Sequence, residues 1–301
     1  MVTTVGPPPG PAQAIAASAK GSPTVLRMLL GAYLRRLREA RRISLHEAGE
    51  VIRASHSKVS RIETGRVGFK DRDIADLLTF YGVTQEDERQ ALRALAVQAN
   101  SAAWWHDYAD VLPGWFDSYV GLEEAASEIW GYEVQFVPGL LQTEEYARAV
   151  IMLAYSHPKE ISRRVKLRMA RQAVLDRSGP PELHVVIDEA ALRRPIGGPA
   201  AMRGQIRHLI EMSQHPNVTI QVVPFQVGGH SGAGGPFSLL RFADADLPDV
   251  VYLEQLTCAT YHEKPVIVKG YLAVMDRLRN EALPPADSIK VLKSMLGGAA
   301  T

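Results

Sequence analysis

The spacing of apolar residues predicts helices near the start of the chain. Leucines at three- and four-residue steps within 24–42 lie on one face of a first helix. Ser44 forms a capping box with Glu47, so a second helix is expected to begin directly after Ser44. A third helix is expected between Ser55, as its N-cap, and Gly65, as its stop. Two short helices joined by a tight turn form a helix-turn-helix pattern.

Beyond residue 100 the pattern alternates between the periods of helices and strands. Strands are expected at 132–139, 182–194, 218–225, 237–244, 249–256 and 257–262. Helices are expected at 84–100, 142–155, 162–175, 199–214, 266–283 and 286–296. Because the late strands are joined by short turns, we expect an α+β fold class. An N-terminal all-α helix-turn-helix domain of about five helices would precede a larger α+β domain with a largely antiparallel sheet.

The length of 301 residues favours two domains. We expect a helix-turn-helix domain over 24–100 and a regulatory α+β domain over 101–301. Residues 1–23 are rich in Pro, Gly, Ala and Ser and lack the features of a signal peptide, so we expect a disordered tail there. Cys258 is the single cysteine, which excludes an internal disulfide. With no apolar run long enough to span a membrane, this favours a cytoplasmic protein.

The charge is unevenly distributed, although the formal net charge is only +1. Residues 20–70 hold twelve Lys and Arg and four Glu, a net charge of +8. The remaining 22 basic and 29 acidic residues give −7 for the rest of the chain. A basic module joined to an acidic remainder indicates a polyanion partner for the module alone.

The third helix has the surface expected of a DNA-reading helix. Val59 and Ile62 share a core face, and the opposite face carries small hydroxyls and no acid. Small hydroxyls let a helix approach base edges, and Arg can donate two hydrogen bonds to guanine. The alternative is a solvated amphipathic helix of any small bundle. On the DNA interpretation, the expected base contacts are His56, Ser57, Ser60 and Arg61, and the expected phosphate contacts are Ser44, Arg53, Lys58 and Arg66.

Residues 30–82 resemble the lambda-repressor-like, xenobiotic-response-element family of helix-turn-helix domains. The resemblance is carried by "LGAYLRRLREARRISLHEAGEVI", by "SHSKVSRIETGR" and by "KDRDIADLLTFYG". It implies base contacts from the early third helix and a structural ion pair between Arg38 and Glu63. The chain departs from the family at the turn, where Arg53 replaces the usual Gly. It also departs at the start of helix two, where Leu45 and His46 replace a polar reader.

Aromatic residues cluster directly after the first domain. Three of the four tryptophans, Trp104, Trp105 and Trp115, lie in this stretch. We favour the interpretation that they dock the linker onto the second domain, with a partner or ligand surface as the alternative.

The Gly-rich stretch 227–237 is the most enzyme-like part of the sequence. It lacks the Gly-Lys-Ser/Thr of a phosphate-binding loop and the glycine that a nucleophile elbow requires two residues after its serine. A hydrolase using Ser231 and His230 is therefore an alternative that we do not favour. We expect a flexible connection in which these two residues are candidate partner contacts. No catalytic site, metal site or cofactor is expected.

The acidic remainder resembles a domain that commonly follows this helix-turn-helix in regulators of filamentous, GC-rich bacteria. The matching stretches are "WWHDYADVLPGWFDSYVGLEEAASEIWGYEVQFVPGLLQTEEYARAVI", "HSGAGGPFSLLRF" and "VVYLE". That domain has no assigned function. Its members often lie beside a gene for a very small protein, and some are described as antitoxin-like. The resemblance therefore implies regulation and a small protein partner.

The sequence as a whole favours a DNA-binding, repressor-like transcriptional regulator rather than an enzyme. Its partners are expected to be operator DNA, a second copy in a homodimer, and a small protein encoded nearby. An antitoxin-like protein that neutralises such a partner and a small-molecule-sensing repressor are the alternatives.

Overall fold

A computed structural model describes residues 11–19, 23–244 and 247–297. The chain divides into two compact units. The first runs to His106 and includes the short segment 244–247, and the second comprises 107–243 and the residues from Pro248 onward.

The first unit is all α-helical. Its helices are α1 (Pro11–Ala19), α2 (Pro23–Ala40), α3 (Leu45–Val51), α4 (His56–Glu63), α5 (Asp71–Phe80) and α6 (Glu86–Ala99). The caps explain where α3 and α4 begin. Ser44 and Glu47 form the capping box, and the side chain of Ser55 accepts a hydrogen bond from the backbone N–H of Lys58.

The prediction of a disordered tail over 1–23 is wrong for the part of it that the structure describes. Residues 11–19 form α1, which packs against α2 and α6. Ala12 and Ile15, three positions apart on one helix face, are both buried. Alanine-rich sequence favours helix, and these two side chains give the helix an apolar face to bury. Residues 1–10 and 20–22 of the predicted tail lie outside the described residues.

A glycine sets the distance between α2 and α4. A β-carbon added at Gly31 would lie 2.5 Å from the carbonyl oxygen of Ile62 and 2.7 Å from that of Glu63. Only a residue without a side chain lets the two backbones approach this closely. The C-terminal end of α4 is therefore held directly against α2.

The second unit combines seven helices and six strands among its described residues. The helices are α7 (Gly114–Ala125), α8 (Glu144–Ile151), α9 (Pro158–Gln172), α10 (Glu189–Arg193), α11 (Gly198–Met212), α12 (Pro265–Glu281) and α13 (Pro285–Gly297). The strands are β1 (Glu128–Glu133), β2 (Glu182–Asp188), β3 (Val218–Val223), β4 (Phe237–Arg241), β5 (Val250–Glu254) and β6 (Ala259–His262). No helix that the structure describes is long and apolar enough to cross a membrane.

The six strands form one mixed sheet in the order β3-β2-β1-β4-β5-β6. β1, β2 and β3 are parallel, because helices connect each to the next. The pairings β1–β4, β4–β5 and β5–β6 are antiparallel. The α+β fold class is confirmed.

Two strand predictions are corrected in detail. The strand predicted at 132–139 lies earlier, at Glu128–Glu133, since Pro138 and the turn before it cannot continue a paired strand. The strand predicted at 182–194 ends at Asp188, whose side chain caps the N-terminus of α10.

The two faces of the sheet differ in character. On one face Tyr132, Val186 and Phe237 pack with Met275 and Leu278 of α12 in an apolar core. On the other face the strands place Gly131, Glu133, Ser238, Tyr252 and Glu254, by the alternation of side chains along each strand. The same face also carries buried apolar side chains, among them Ile129, Val185 and Leu240, so it is polar only near the ends of β1 and β5.

Candidate functional site

The first candidate site is the outer surface of α4. His56, Ser57 and Arg61 are exposed and Ser60 is half-buried, while Val59 and Ile62 are buried beneath them. The four residues expected to read bases thus lie on one helix face. Ser57 Oγ lies 3.3 Å from His56 Nε2, which links the first two side chains of this face.

The base of α4 is held by a buried ion pair between Arg38 and Glu63. Arg38 Nε and Nη2 donate to the two carboxylate oxygens of Glu63 at 2.6 and 2.9 Å, and Nη1 donates to the carbonyl of Ile43 at 2.8 Å. The hydrogen bond to Glu63 raises the pKa of Arg38 above its ordinary value. This ion pair neutralises Glu63, the acidic residue of α4, and directs its carboxylate away from the outer face.

The residues expected to contact phosphate are in different situations. Ser44 is exposed, but its hydroxyl is engaged in the capping box with Glu47. Lys58 Nζ is held 2.5 Å from Asp73 Oδ2 of α5, so a phosphate would have to share this ammonium with a carboxylate. Arg53 is exposed and Arg66 is half-buried.

The turn between α3 and α4 contains a strained residue. Arg53 has a φ of +53°, in the left-handed region that favours glycine. This is the position at which the family resemblance leads one to expect Gly. Arg42, also exposed, has a φ of +58° just before α3. Each costs about 1–2 kcal/mol of backbone strain, and each directs a guanidinium outward from a turn.

The aromatic stretch is divided between the two units. Trp104 and Trp105 belong to the first unit, where Trp105 is fully buried and Trp104 is 37% exposed. Their rings meet edge to face, with centroids 5.7 Å apart. Trp115 belongs to the second unit and is half-buried; its carbonyl accepts a hydrogen bond from the hydroxyl of Tyr261.

The Gly-rich stretch is tied down by His230 and Ser231. His230 Nε2 lies 3.2 Å from Asp188 Oδ2, and Nδ1 accepts a hydrogen bond from the N–H of Gly232. The N–H and hydroxyl of Ser231 both donate to Glu281, at 2.9 and 2.8 Å. The two nitrogens of His230 therefore face Asp188 and the backbone, which is the geometry of an anchored loop rather than of a serine–histidine pair.

A second polar cluster, which the sequence did not reveal, lies on this second face of the sheet, near the ends of β1 and β5. Arg171 of α9 and Glu123 of α7 are buried and joined by two hydrogen bonds of 2.8 and 2.7 Å. Beside them are Glu133, Arg168 and Glu254. Burial, and then the proximity of Glu254, raise the pKa of Glu133 to about 8, while burial lowers the pKa of Arg168 to about 10. The sequence offered one signal of this cluster, which was the charged residue Glu133 inside a predicted strand.

Two family models match the chain. Residues 29–92 match a helix-turn-helix domain, which supports a DNA-binding regulator. Residues 116–294 match a domain of unknown function (DUF5753). Comparison with curated proteins and with solved structures gives no match. Since the second model spans more than half of the chain, the protein belongs to the DUF5753 family, with a helix-turn-helix domain preceding the family's own domain.

Proposed function

We propose that the protein is a sequence-specific transcriptional regulator that reads operator DNA through α4, in the manner of the xenobiotic-response-element repressors. The observation that carries the proposal is the outer face of α4, which presents two hydroxyls, an imidazole and the exposed Arg61, while its acid is paired beneath it with Arg38. The charge of +8 over residues 20–70 supplies the attraction to the DNA backbone.

Selection from a random duplex pool tests this function. The full-length protein should enrich one short motif, and its affinity for that motif should exceed its affinity for scrambled DNA by at least about a thousandfold. Equal affinity for the enriched and scrambled duplexes would show that the protein binds the DNA backbone without reading sequence.

The protein is proposed to act as a homodimer, since one such module reads only a few base pairs and gains affinity from a second half-site. The DUF5753 domain is the proposed dimerisation element.

The DUF5753 domain is further proposed to bind a small protein partner that alters the affinity for DNA. Its acidic balance argues against a second DNA surface. The proposed contact regions are Trp115, which is half-buried in the second unit, and the anchored loop with His230 and Ser231. Trp104 and Trp105, which the sequence also suggested, belong to the first unit, and Trp105 is fully buried. An antitoxin-like action, in which the protein neutralises that partner, uses the same surfaces.

Titration of the small protein encoded by the neighbouring gene into a protein–operator complex tests the partner proposal. Binding with a shift in operator affinity supports it. If the small protein neither binds nor shifts operator affinity, the partner proposal fails and small-molecule sensing becomes the proposed role of the domain. The polar cluster around Glu133 favours this second candidate. The proposal contains no catalytic step, in keeping with the anchored arrangement of His230 and Ser231.

A further inference from the structure

Two carboxylates end strands that run in the same direction on either side of β4, and both lie on the same face of the sheet. Glu133 is the last residue of β1 and Glu254 the last residue of β5, with β4 between them. The pairings Tyr132–Phe237 and Ser238–Tyr252 bring both glutamates to the level of Pro236, just before β4 begins. Two strand spacings separate their α-carbons, about 10 Å. The two side chains therefore lie on the same face, one on each side of β4.

The floor of the gap between these two side chains is a void over Gly131. Gly131 is buried, yet a β-carbon added there would meet a single atom within 4 Å, Cγ1 of Val185 at 3.7 Å. Protein interiors are close-packed, so a buried position with so few neighbours marks unfilled space. Gly131 lies two residues before Glu133 on the same strand and therefore on the same face.

The charged groups around the void are incompletely paired. Arg168 of α9 donates one hydrogen bond, to Gln142 at 2.8 Å, and has no carboxylate within ion-pair distance in the part of the chain that is described. The carboxyl group of Glu133 makes no hydrogen bond to any residue of 11–19, 23–244 or 247–297. Glu254 accepts one bond, from the hydroxyl of Tyr252 at 3.0 Å.

Incomplete pairing of charges is not general to this face of the sheet, as the neighbouring pair of Glu123 and Arg171 shows. Glu123 and Arg171, in the same layer, satisfy each other through two direct hydrogen bonds. Buried charges are normally paired in this way, and unmatched ones cost free energy. Arg168, Glu133 and Glu254 instead surround a gap, and all three retain solvent-accessible surface.

We propose that this gap, lined by Gly131, Glu133, Arg168, Tyr252 and Glu254, is a binding pocket for a small zwitterion that carries an ammonium and a carboxylate, as an amino acid does. The ligand carboxylate pairs with the free donors of Arg168. The ammonium lies between the two glutamates. The remainder of the ligand fills the void over Gly131.

The charge balance favours a zwitterion over a simple cation. Burial and the nearby Glu254 raise the pKa of Glu133, which disfavours a second negative charge beside Glu254. One positive group, Arg168, and one negative group, Glu254, then remain in the pocket. A ligand with one charge of each sign matches both, whereas an amine alone leaves Arg168 without an anion.

The pocket deepens the proposed function, because it would make the DUF5753 domain an effector sensor. Ligand binding itself does not depend on DNA binding. The melting temperature of the full-length protein is measured without DNA, with each of the twenty common L-amino acids at about 10 mM. Ethylammonium chloride and sodium propionate serve as controls with a single charge. At least one amino acid is expected to raise the melting temperature by about 2–4 °C, and neither control should do so.

Variants locate the site by titration calorimetry with the responding amino acid. Glu254→Gln alters an exposed side chain and should fold; its affinity is expected to fall at least tenfold. Gly131→Leu, which fills the void, and Arg168→Gln, which removes the carboxylate partner, should lose binding. Arg203→Gln on α11 is the matched control, because Arg203 is half-buried outside the pocket, and its affinity should not change.

Three results would overturn the proposal: no amino acid raises the melting temperature, a single-charge control raises it equally, or Glu254→Gln and Gly131→Leu bind as the wild type does. Operator affinity is measured separately on the ligand-free protein. A protein that binds the amino acid but no specific DNA would refute the regulatory function and leave the pocket standing.

Discussion

At the scale of single residues, recognition of the operator sequence is expected to depend most on Arg61. It is exposed on α4 and forms no ion pair with the residues that the structure describes, so its fork of donors is available to a base. Arg61→Ala should lose about 1–3 kcal/mol at the operator and relax specificity at one position. Arg207→Ala removes the same charge from the second unit and should leave operator affinity and specificity unchanged. Mobility-shift assays on the operator and on its single-base variants measure the affinity and the specificity. If Arg61→Ala binds the operator as tightly as the wild type does, α4 is not the recognition helix.

Lys58 tests the phosphate contacts. Asp73 holds its ammonium at 2.5 Å, and Asp73 is almost fully buried. Asp73→Asn keeps the shape and releases the charge, so binding to all sequences should tighten and the salt slope should steepen by about 1. Lys58→Ala in the Asp73→Asn background should reverse both effects. A salt slope that does not respond to either change would place Lys58 away from the DNA.

Glu133 makes stability depend on pH. Its pKa of about 8 in the folded protein lies above the ordinary 4.5, so the fold favours the protonated form. Wild-type stability should therefore decrease as the pH rises from about 4.5 to 8, where the carboxylate must ionise beside Glu254 despite the favourable Arg168. Glu133→Gln cannot ionise. It should match the wild type at pH 4.5 and exceed it at pH 8 by on the order of 1–3 kcal/mol, allowing for solvent access. Urea unfolding of both proteins at pH 4.5 and pH 8 measures this difference in the free energy of unfolding. A difference that is the same at both pH values would contradict the raised pKa of Glu133.

At the scale of elements, the pair Arg38–Glu63 fixes α4 against α2. Arg38→Met leaves a carboxylate buried and unpaired, which should cost about 3–5 kcal/mol. Removing both partners in Arg38→Met/Glu63→Leu should cost much less, because no charge is then stranded. Denaturation monitored by circular dichroism compares the two variants. The exposed pair Arg148 and Glu144 is the control, and single substitutions there should cost under about 1 kcal/mol. Additive losses in the buried pair would mean that the two side chains do not interact.

The elements also show what the sequence could predict. The beginnings of α3 and α4 followed from local chemistry at Ser44 and Ser55, because a cap acts within four residues. The helix α1 was missed, since its burial depends on α2 and α6 rather than on its own composition. The pocket around Glu133 was missed for the same reason: β1, β5 and α9 supply its charges from positions far apart in sequence. Local pattern therefore predicted the elements, and only the sheet register brought Glu133 and Glu254 to one edge.

At the scale of the whole molecule, an effector or partner of the DUF5753 domain changes DNA affinity only if it binds the free and DNA-bound states unequally. The reverse then holds as well, and operator DNA must change the affinity for that ligand by the same factor. Affinity for a responding amino acid, measured with and without operator duplex, therefore reports the coupling directly and separates a regulatory ligand from one that merely stabilises the fold.

The homodimer is the prediction that concerns the whole assembly. Two copies bound to half-sites one helical turn apart, about 34 Å, bind together because the second contact becomes intramolecular. Light scattering of the full-length protein at micromolar concentration should give twice the chain mass. Inserting about five base pairs between the half-sites turns one of them to the opposite side of the duplex and should weaken binding by roughly tenfold or more, whereas a change of a single base pair outside both half-sites should have no effect. If the chain scatters as a monomer and tolerates the half-turn insertion, each copy reads DNA alone, and the second unit must serve its partner or ligand without joining two copies.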